Sequence, residues 1–245
     1  MTYFLTSMPC VMPGSPDLNP ANGFVDELRQ ALSGPCRALF IASDPDDPER
    51  TERFAGVIRT GFELAGFRFD RYRVLDSRNA GQCAALVADA DLLILSGGHV
   101  PTQNRFFHSI GLREKLRDWD GVLIGVSAGS MNAAELVYAP PEEEGEAIDP
   151  NYRRFYPGLG LTRTMVFPHF QKTRYEVVDG LPTLESSLLP DSMGRRIYAI
   201  VDGSYILGKD GREELRGEAY LIENGAMEQL TDDAPGGARN WKLDL

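Results

Sequence analysis

The stretch LIGVSAGSMN, residues 123–132, decides how the rest of the chain is read. Extended back to Gly121, its apolar half (GVLIGVS) reads as a buried strand. Its second half, continued as AGSMNAAELV, is helix-like. Between them Gly125, Ser127 and Gly129 give the form G-x-S-x-G, which places a serine on a tight strand-to-helix turn and projects its hydroxyl from the backbone. Small neighbours let strand and helix approach closely. The N–H of Ala128 then points to where an oxyanion would develop, and the helix N-terminus adds a favourable field. The competing reading is a packing serine where a strand tucks into a helix. The strand-then-helix context favours a nucleophile.

Working outward, short apolar runs alternate with amphipathic stretches. Residues 2–7, 37–43, 67–75, 91–98 and 121–127 read as strands, several of them continuous and apolar as in buried parallel sheets. Residues 23–32, 48–66, 80–89 and 104–119 have helical spacing. This β–α alternation predicts an α/β fold, a mostly parallel central sheet with helices on both faces, whose ligands bind beyond the carboxyl ends of the strands. The Pro- and acid-rich segment 139–150 reads as a surface loop, and residues 161–170 as a strand ending at a proline. In SDPDDPERTE (43–52), Asp46 or Asp47 is expected to cap the following helix. The last third alternates apolar and polar residues around D-G and N-G turns, which predicts C-terminal β-hairpins, with Asp202-Gly203 read as one such turn. No repeat or linker interrupts the 245 residues, so a single domain spanning 1–245 is expected.

The net charge of −11 argues against nucleic acid or an anionic membrane as partner, since both need a basic face. Three scattered cysteines form no C-x-x-C or Cys/His cluster, so no metal site is expected. The N-terminal MTYFLTSMPC lacks a basic region followed by a long apolar one, and no run reaches membrane-spanning length; the expected compartment is the cytoplasm.

A serine nucleophile needs a base, and the chain has three histidines. His108 lies inside a helix-like segment. His99 follows Gly97-Gly98 at a strand end, and His169 lies at another strand end in FPHF. His169 is favoured as base. Because no histidine follows it, the order Ser, acid, His would require an acid between 128 and 168, whereas the order Ser, His, acid points to Asp202 in IVDGSY. A glycine at 98 would let a second backbone N–H approach a substrate carbonyl.

Taken in order and at these distances, ILSGG, GVSAGS, PHF and AIVDG resemble the peptidase E (aspartyl dipeptidase) family, to which cyanophycinases are related. The resemblance runs from the first strand through the terminal hairpins. It implies a three-layer, class I glutamine amidotransferase-like fold in which serine replaces the amidotransferase cysteine, and a triad in the order Ser, His, acid. On the matching positions Ser127 is nucleophile, His169 base and Asp202 acid, with Gly98 and Ala128 supplying oxyanion N–H groups. Family members often carry Glu at the acid position, so the shorter Asp202 needs a closer backbone; Glu135 and the acids of 142–149 stay open as alternatives. The chain departs from the family after the two glycines, where His99-Val100-Pro101-Thr102 replaces an Asn-Thr-like continuation, so the substrate side is expected to differ. His99, Lys172 and Arg174 are the expected substrate-binding residues, with Arg174 the better match for a carboxylate and Arg153 and Arg154 held further back.

The resemblance implies hydrolysis of short peptides with N-terminal aspartate through an acyl-enzyme on Ser127, with no cofactor and no metal. The expected partner is a small peptide. The oligomeric state, a homodimer included, stays open. Alternatives are a cyanophycinase-like hydrolase of an Asp-Arg polymer, an esterase whose acid lies between Ser127 and His169, and a non-catalytic amidotransferase-like binding domain.

Overall fold

The computed structural model describes residues 1–230 and 240–243. Its strands are β1 (Thr2–Thr6), β2 (Cys36–Ile41), β3 (Phe69–Leu75), β4 (Leu92–Leu95), β5 (Val122–Val126), β6 (Leu136–Tyr138), β7 (Phe155–Pro157) and β8 (Met165–Phe167). They continue with β9 (Val177–Val178), β10 (Leu181–Pro182), β11 (Arg196–Ile200), β12 (Tyr205–Lys209), β13 (Arg212–Arg216), β14 (Ala219–Glu223), β15 (Ala226–Leu230) and β16 (Asn240–Leu243). The helices are α1 (Phe24–Ala31), α2 (Pro48–Leu64), α3 (Cys83–Ala88), α4 (Val100–Ser109), α5 (Leu112–Leu116), α6 (Ala128–Asn132), α7 (Phe170–Thr173) and α8 (Leu189–Asp191).

The central sheet runs β16-β13-β12-β1-β5-β4-β2-β3. From β1 through β5, β4 and β2 to β3 every pairing is parallel, while β12, β13 and β16 add antiparallel strands on the other side. Side chains alternate across a strand, and that alternation builds the three layers. Phe4, Phe40, Leu92, Ile94 and Ile124 pack on one face with Phe24 and Leu28 of α1 and Ile58 and Phe62 of α2. Their neighbours Leu5, Leu39, Leu93, Leu95 and Leu123 pack on the other face with Leu86 of α3, Phe106 and Phe107 of α4, and Leu112 and Leu116 of α5. Each such fully buried side chain contributes about 1.5–3 kcal/mol of transfer free energy. The expected mostly parallel sheet between two helical layers is therefore present.

Local chemistry explains the element ends. Asp47 caps α2, its carboxylate accepting the Arg50 N–H at 3.0 Å, with Pro48 in the first turn where its missing N–H costs nothing. The single helix expected over 104–119 is two. It starts earlier, at Val100 with Pro101 in its first turn, and breaks at Gly111, whose φ of +57° is the left-handed conformation that glycine tolerates. Of the strand expected over 161–170, only Met165–Phe167 forms a strand, and Thr162 makes an isolated bridge with Ala134. The acidic loop is bracketed by the β6–β7 pair.

A second, four-stranded sheet has the order β15-β14-β11-β8. Two of the C-terminal hairpins form as read, β12–β13 around Asp210-Gly211 and β14–β15 around Asn224-Gly225, with both turn residues at positive φ. The turn at Asp202-Gly203 is different. It joins β11 of the smaller sheet to β12 of the central one, so it is a crossing between sheets and not a hairpin. Among the described residues, no helix is long and apolar enough to cross a membrane.

Candidate active site

Ser127 follows β5 directly and stands before the first residue of α6. Its φ of +50° and ψ of −113° lie outside the regions open to most residues, a strain of order 1–3 kcal/mol that the surroundings must hold. Three bonds from the end of β1 do so. The Ser127 N–H donates to the Thr6 carbonyl at 3.1 Å, the Ser130 hydroxyl donates to the same carbonyl at 2.8 Å, and the Thr6 hydroxyl donates to the Gly125 carbonyl at 2.7 Å. The two glycines of the motif are required by contact: a Cβ at Gly129 would strike the Leu95 backbone carbonyl, and one at Gly125 would strike Ser130.

A buried amide network fixes α6 against α4. Asn132 donates to the Gln103 side chain at 3.0 Å and accepts from Asn104 at 2.8 Å, while Gln103 donates to the Ser96 carbonyl at 2.6 Å. This ties the exit of β4, with Gly97 and Gly98, to the turn that carries Ser127. Among the described residues, neither the Ala128 nor the Gly98 N–H has a hydrogen-bond acceptor.

His169 lies two residues beyond β8 and is itself in the left-handed conformation, with φ of +57°. Its Nε2 is 3.0 Å from Ser127 Oγ, and its Nδ1 is 2.6 Å from Asp202 Oδ1. Asp202 thus reaches the imidazole despite being shorter than Glu. The inter-sheet turn carries it there. The Asp202 carboxylate is well supplied with donors. The Ser7 hydroxyl donates to Oδ1 at 2.6 Å, and the Gln171 amide donates to Oδ2 at 2.5 Å, while Gln171 in turn accepts the Asp202 N–H at 3.1 Å. Partial burial opposes ionisation, but the hydrogen bonds from His169 and Ser7, the attraction of His169 and the bond from Gln171 outweigh it and bring the pKa down to about 2. Ser7 also accepts the His169 backbone N–H at 2.8 Å, so one buried hydroxyl braces both partners.

The structure therefore brings Ser127, His169 and Asp202 together, and sets the other candidates elsewhere. Glu135 is mostly exposed, 3.9 Å from Arg163. Glu146 bonds to His99 Nε2 at 3.0 Å and accepts the Glu142 and Glu143 N–H groups. His108 Nε2 lies 2.8 Å from the Pro157 carbonyl.

The expected substrate-binding residues lie away from the cleft at Ser127. A cleft of about 390 Å³ opens on Ser127 and His169, and His99, Lys172 and Arg174 do not line it. Both ring nitrogens of His99 are engaged, by Glu146 and by Thr102, which pins the acidic loop to the start of α4. Arg174 lies against the rings of Phe170, Tyr175 and Tyr220, at 5.4, 5.0 and 5.5 Å from their centroids. Lys172 is exposed on α7. Arg153 lies over Tyr156, and Arg154 pairs with Asp191 at 3.3 Å. The cleft is walled instead by Met8, Arg50, Arg53, Phe54 and Val57. Ser7 and Gln171, which both hold Asp202, are not singled out by the sequence. Ser7 directly follows β1, the one signal it carries.

Candidate metal ligands are confined to one grouping among the described residues: His99, Glu143 and Glu146, with ligand atoms within 4.8 Å of one another.

No protein-family model matches the chain, and no curated protein matches it. Among solved structures, one described as a candidate peptidase E protein from Listeria monocytogenes EGD-e matches over 94% of this chain and 98% of that one, with a TM-score of 0.56 and 15% identity. At that identity the likeness is one of architecture: the chain has the fold of that peptidase E-like structure.

Proposed function

We propose that the chain is a serine peptidase that hydrolyses short peptides with N-terminal aspartate. The observation that carries the reading is the imidazole of His169 held between Ser127 Oγ at 3.0 Å and Asp202 Oδ1 at 2.6 Å. With Nδ1–H directed at the ionised Asp202, Nε2 is free to accept the Ser127 proton. Ser127 Oγ attacks the peptide carbonyl, and the tetrahedral oxyanion is taken by the unengaged N–H groups of Ala128 and Gly98. The imidazolium, stabilised by Asp202, gives its proton to the leaving amine as the C–N bond breaks. Water, deprotonated by the same imidazole, then releases the acyl group and restores Ser127.

The preference for aspartate rests on the resemblance of the ordered motifs, while the fold shared with the peptidase E-like structure supports a peptidase only at the level of architecture. A panel of Xaa-Leu dipeptides tests it, using wild type and Ser127→Ala. Cleavage of Asp-Leu that disappears in Ser127→Ala is the expected result. A folded wild type that leaves every member of the panel intact would sink the dipeptidase reading.

A further inference from the structure

The arginines of the cleft are where its selectivity can be sought. Arg50, Arg53, Phe54 and Val57 fall at positions i, i+3, i+4 and i+7 of α2, one stripe on one helix face, and all four line the cleft that holds Ser127 and His169. Three of the nearby acids have partners, and Asp46 and Glu49 are exposed. Asp47 accepts the Arg50 backbone N–H, Glu52 pairs with Arg78 at 2.5 Å, and Asp44, which also lines the cleft, accepts the Asp46 N–H at 3.1 Å. Among the described residues neither the Arg50 nor the Arg53 guanidinium has an ion-pair partner. Two unpaired guanidiniums beside a serine–histidine pair stand out in a chain of net charge −11.

From this geometry we infer that Arg50 and Arg53 form a carboxylate subsite that anchors the substrate, with Met8, Phe54 and Val57 as its apolar wall. Guanidinium matches carboxylate in a two-pronged planar bond that an ammonium cannot make. The inference rests on the proposal that this cleft accepts a short peptide. Such a peptide offers two carboxylates, the side chain of its N-terminal aspartate and the free C-terminus of its leaving residue.

Binding separates the subsite from the chemistry. Asp-Leu, Asp-Leu amide and Asn-Leu are titrated calorimetrically into folded Ser127→Ala protein, with and without Arg50→Gln/Arg53→Gln. The double substitution is expected to weaken Asp-Leu by at least about tenfold, the scale of one charge-assisted contact. It should leave unaffected whichever analogue lacks the anchoring carboxylate, so loss of the effect with Asn-Leu assigns the side chain, and loss with the amide assigns the C-terminus. Arg50→Lys/Arg53→Lys should fall between the two. Equal weakening of all three ligands, an effect below twofold, or no binding of Asp-Leu at all would overturn the subsite. Arginine-dependent binding in a wild type that cleaves nothing would instead leave the subsite standing and sink the peptidase.

Discussion

Ser7 Oγ lies 2.6 Å from Asp202 Oδ1, the same carboxylate oxygen that faces His169 Nδ1. The end of β1 thereby braces Asp202 and His169, which come from much later in the chain. Ser7→Ala removes a donor from a carboxylate and an acceptor from the His169 N–H. Hydrogen bonds to charged groups contribute about 1.5–3 kcal/mol, so kcat is expected to fall by roughly tenfold or more with little change in KM. An unchanged kcat in steady-state kinetics would show that the brace does not matter for turnover.

The strained turn at Ser127 predicts an opposition between stability and activity. With φ at +50°, glycine adopts this backbone with less cost than alanine. Ser127→Gly and Ser127→Ala should both be inactive, but the glycine variant should be more stable by about 1 kcal/mol, which for a chain of this size is roughly 2–4 °C in melting temperature. Calorimetric scans of the two variants decide it.

Acid sensitivity follows from Asp202. Its pKa in the folded protein, about 2, lies below the ordinary carboxylate value, so its ionised form favours folding. That contribution is present above about pH 4 and is lost as pH falls towards 2; its size, from the shift, is about 2 kcal/mol. Asp202→Asn should therefore be less stable than wild type at neutral pH, with the gap closing between pH 4 and pH 2 in denaturant titrations. Its activity should drop on the order of 10⁴-fold, because an amide N–H facing Nδ1 selects the wrong imidazole tautomer.

Asn132 offers a test of the scaffold. Asn132→Ala strips the Gln103 carbonyl of its donor inside the core and costs about 1–3 kcal/mol. Because the same network holds the Ser96-Gly97-Gly98 exit, turnover should fall as well, while Asn132→Asp should fare no better for lack of the donor. Equilibrium unfolding and kcat are measured on the same samples.

Much of this was legible from local pattern. Strands of continuous apolar residues and the glycines around Ser127 announce themselves within a dozen residues, and the position of His169 after a strand end does too. Asp202 was readable only by its order in the chain. Its D-G dipeptide looks like that of the Asp210 hairpin, and what makes it a crossing is that β12 pairs with β1, some two hundred residues away. Arg50 and Arg53 read as solvated charges on an amphipathic helix. That their face borders a cleft depends on where Met8, Gly97 and His169 come to lie around α2. A hydroxyl such as Ser7 has no sequence signature, since its partners come from residues 169 and 202.

The placement of β1 between β5 and β12 has a consequence for biosynthesis. β1 needs neighbours made much later, at positions 122–126 and 205–209. It leaves the ribosome with both backbone edges unpaired and must wait for most of the chain before the second is covered. Ser7, at its end, meets Asp202 only then. Nascent chains halted after β5 but before Asp202 can thus lay down the parallel half of the sheet and Ser127 with it, yet they lack both Asp202 and β12. The contacts of Ser127, His169 and Asp202 with one another are therefore complete only once β12 covers the second edge of β1.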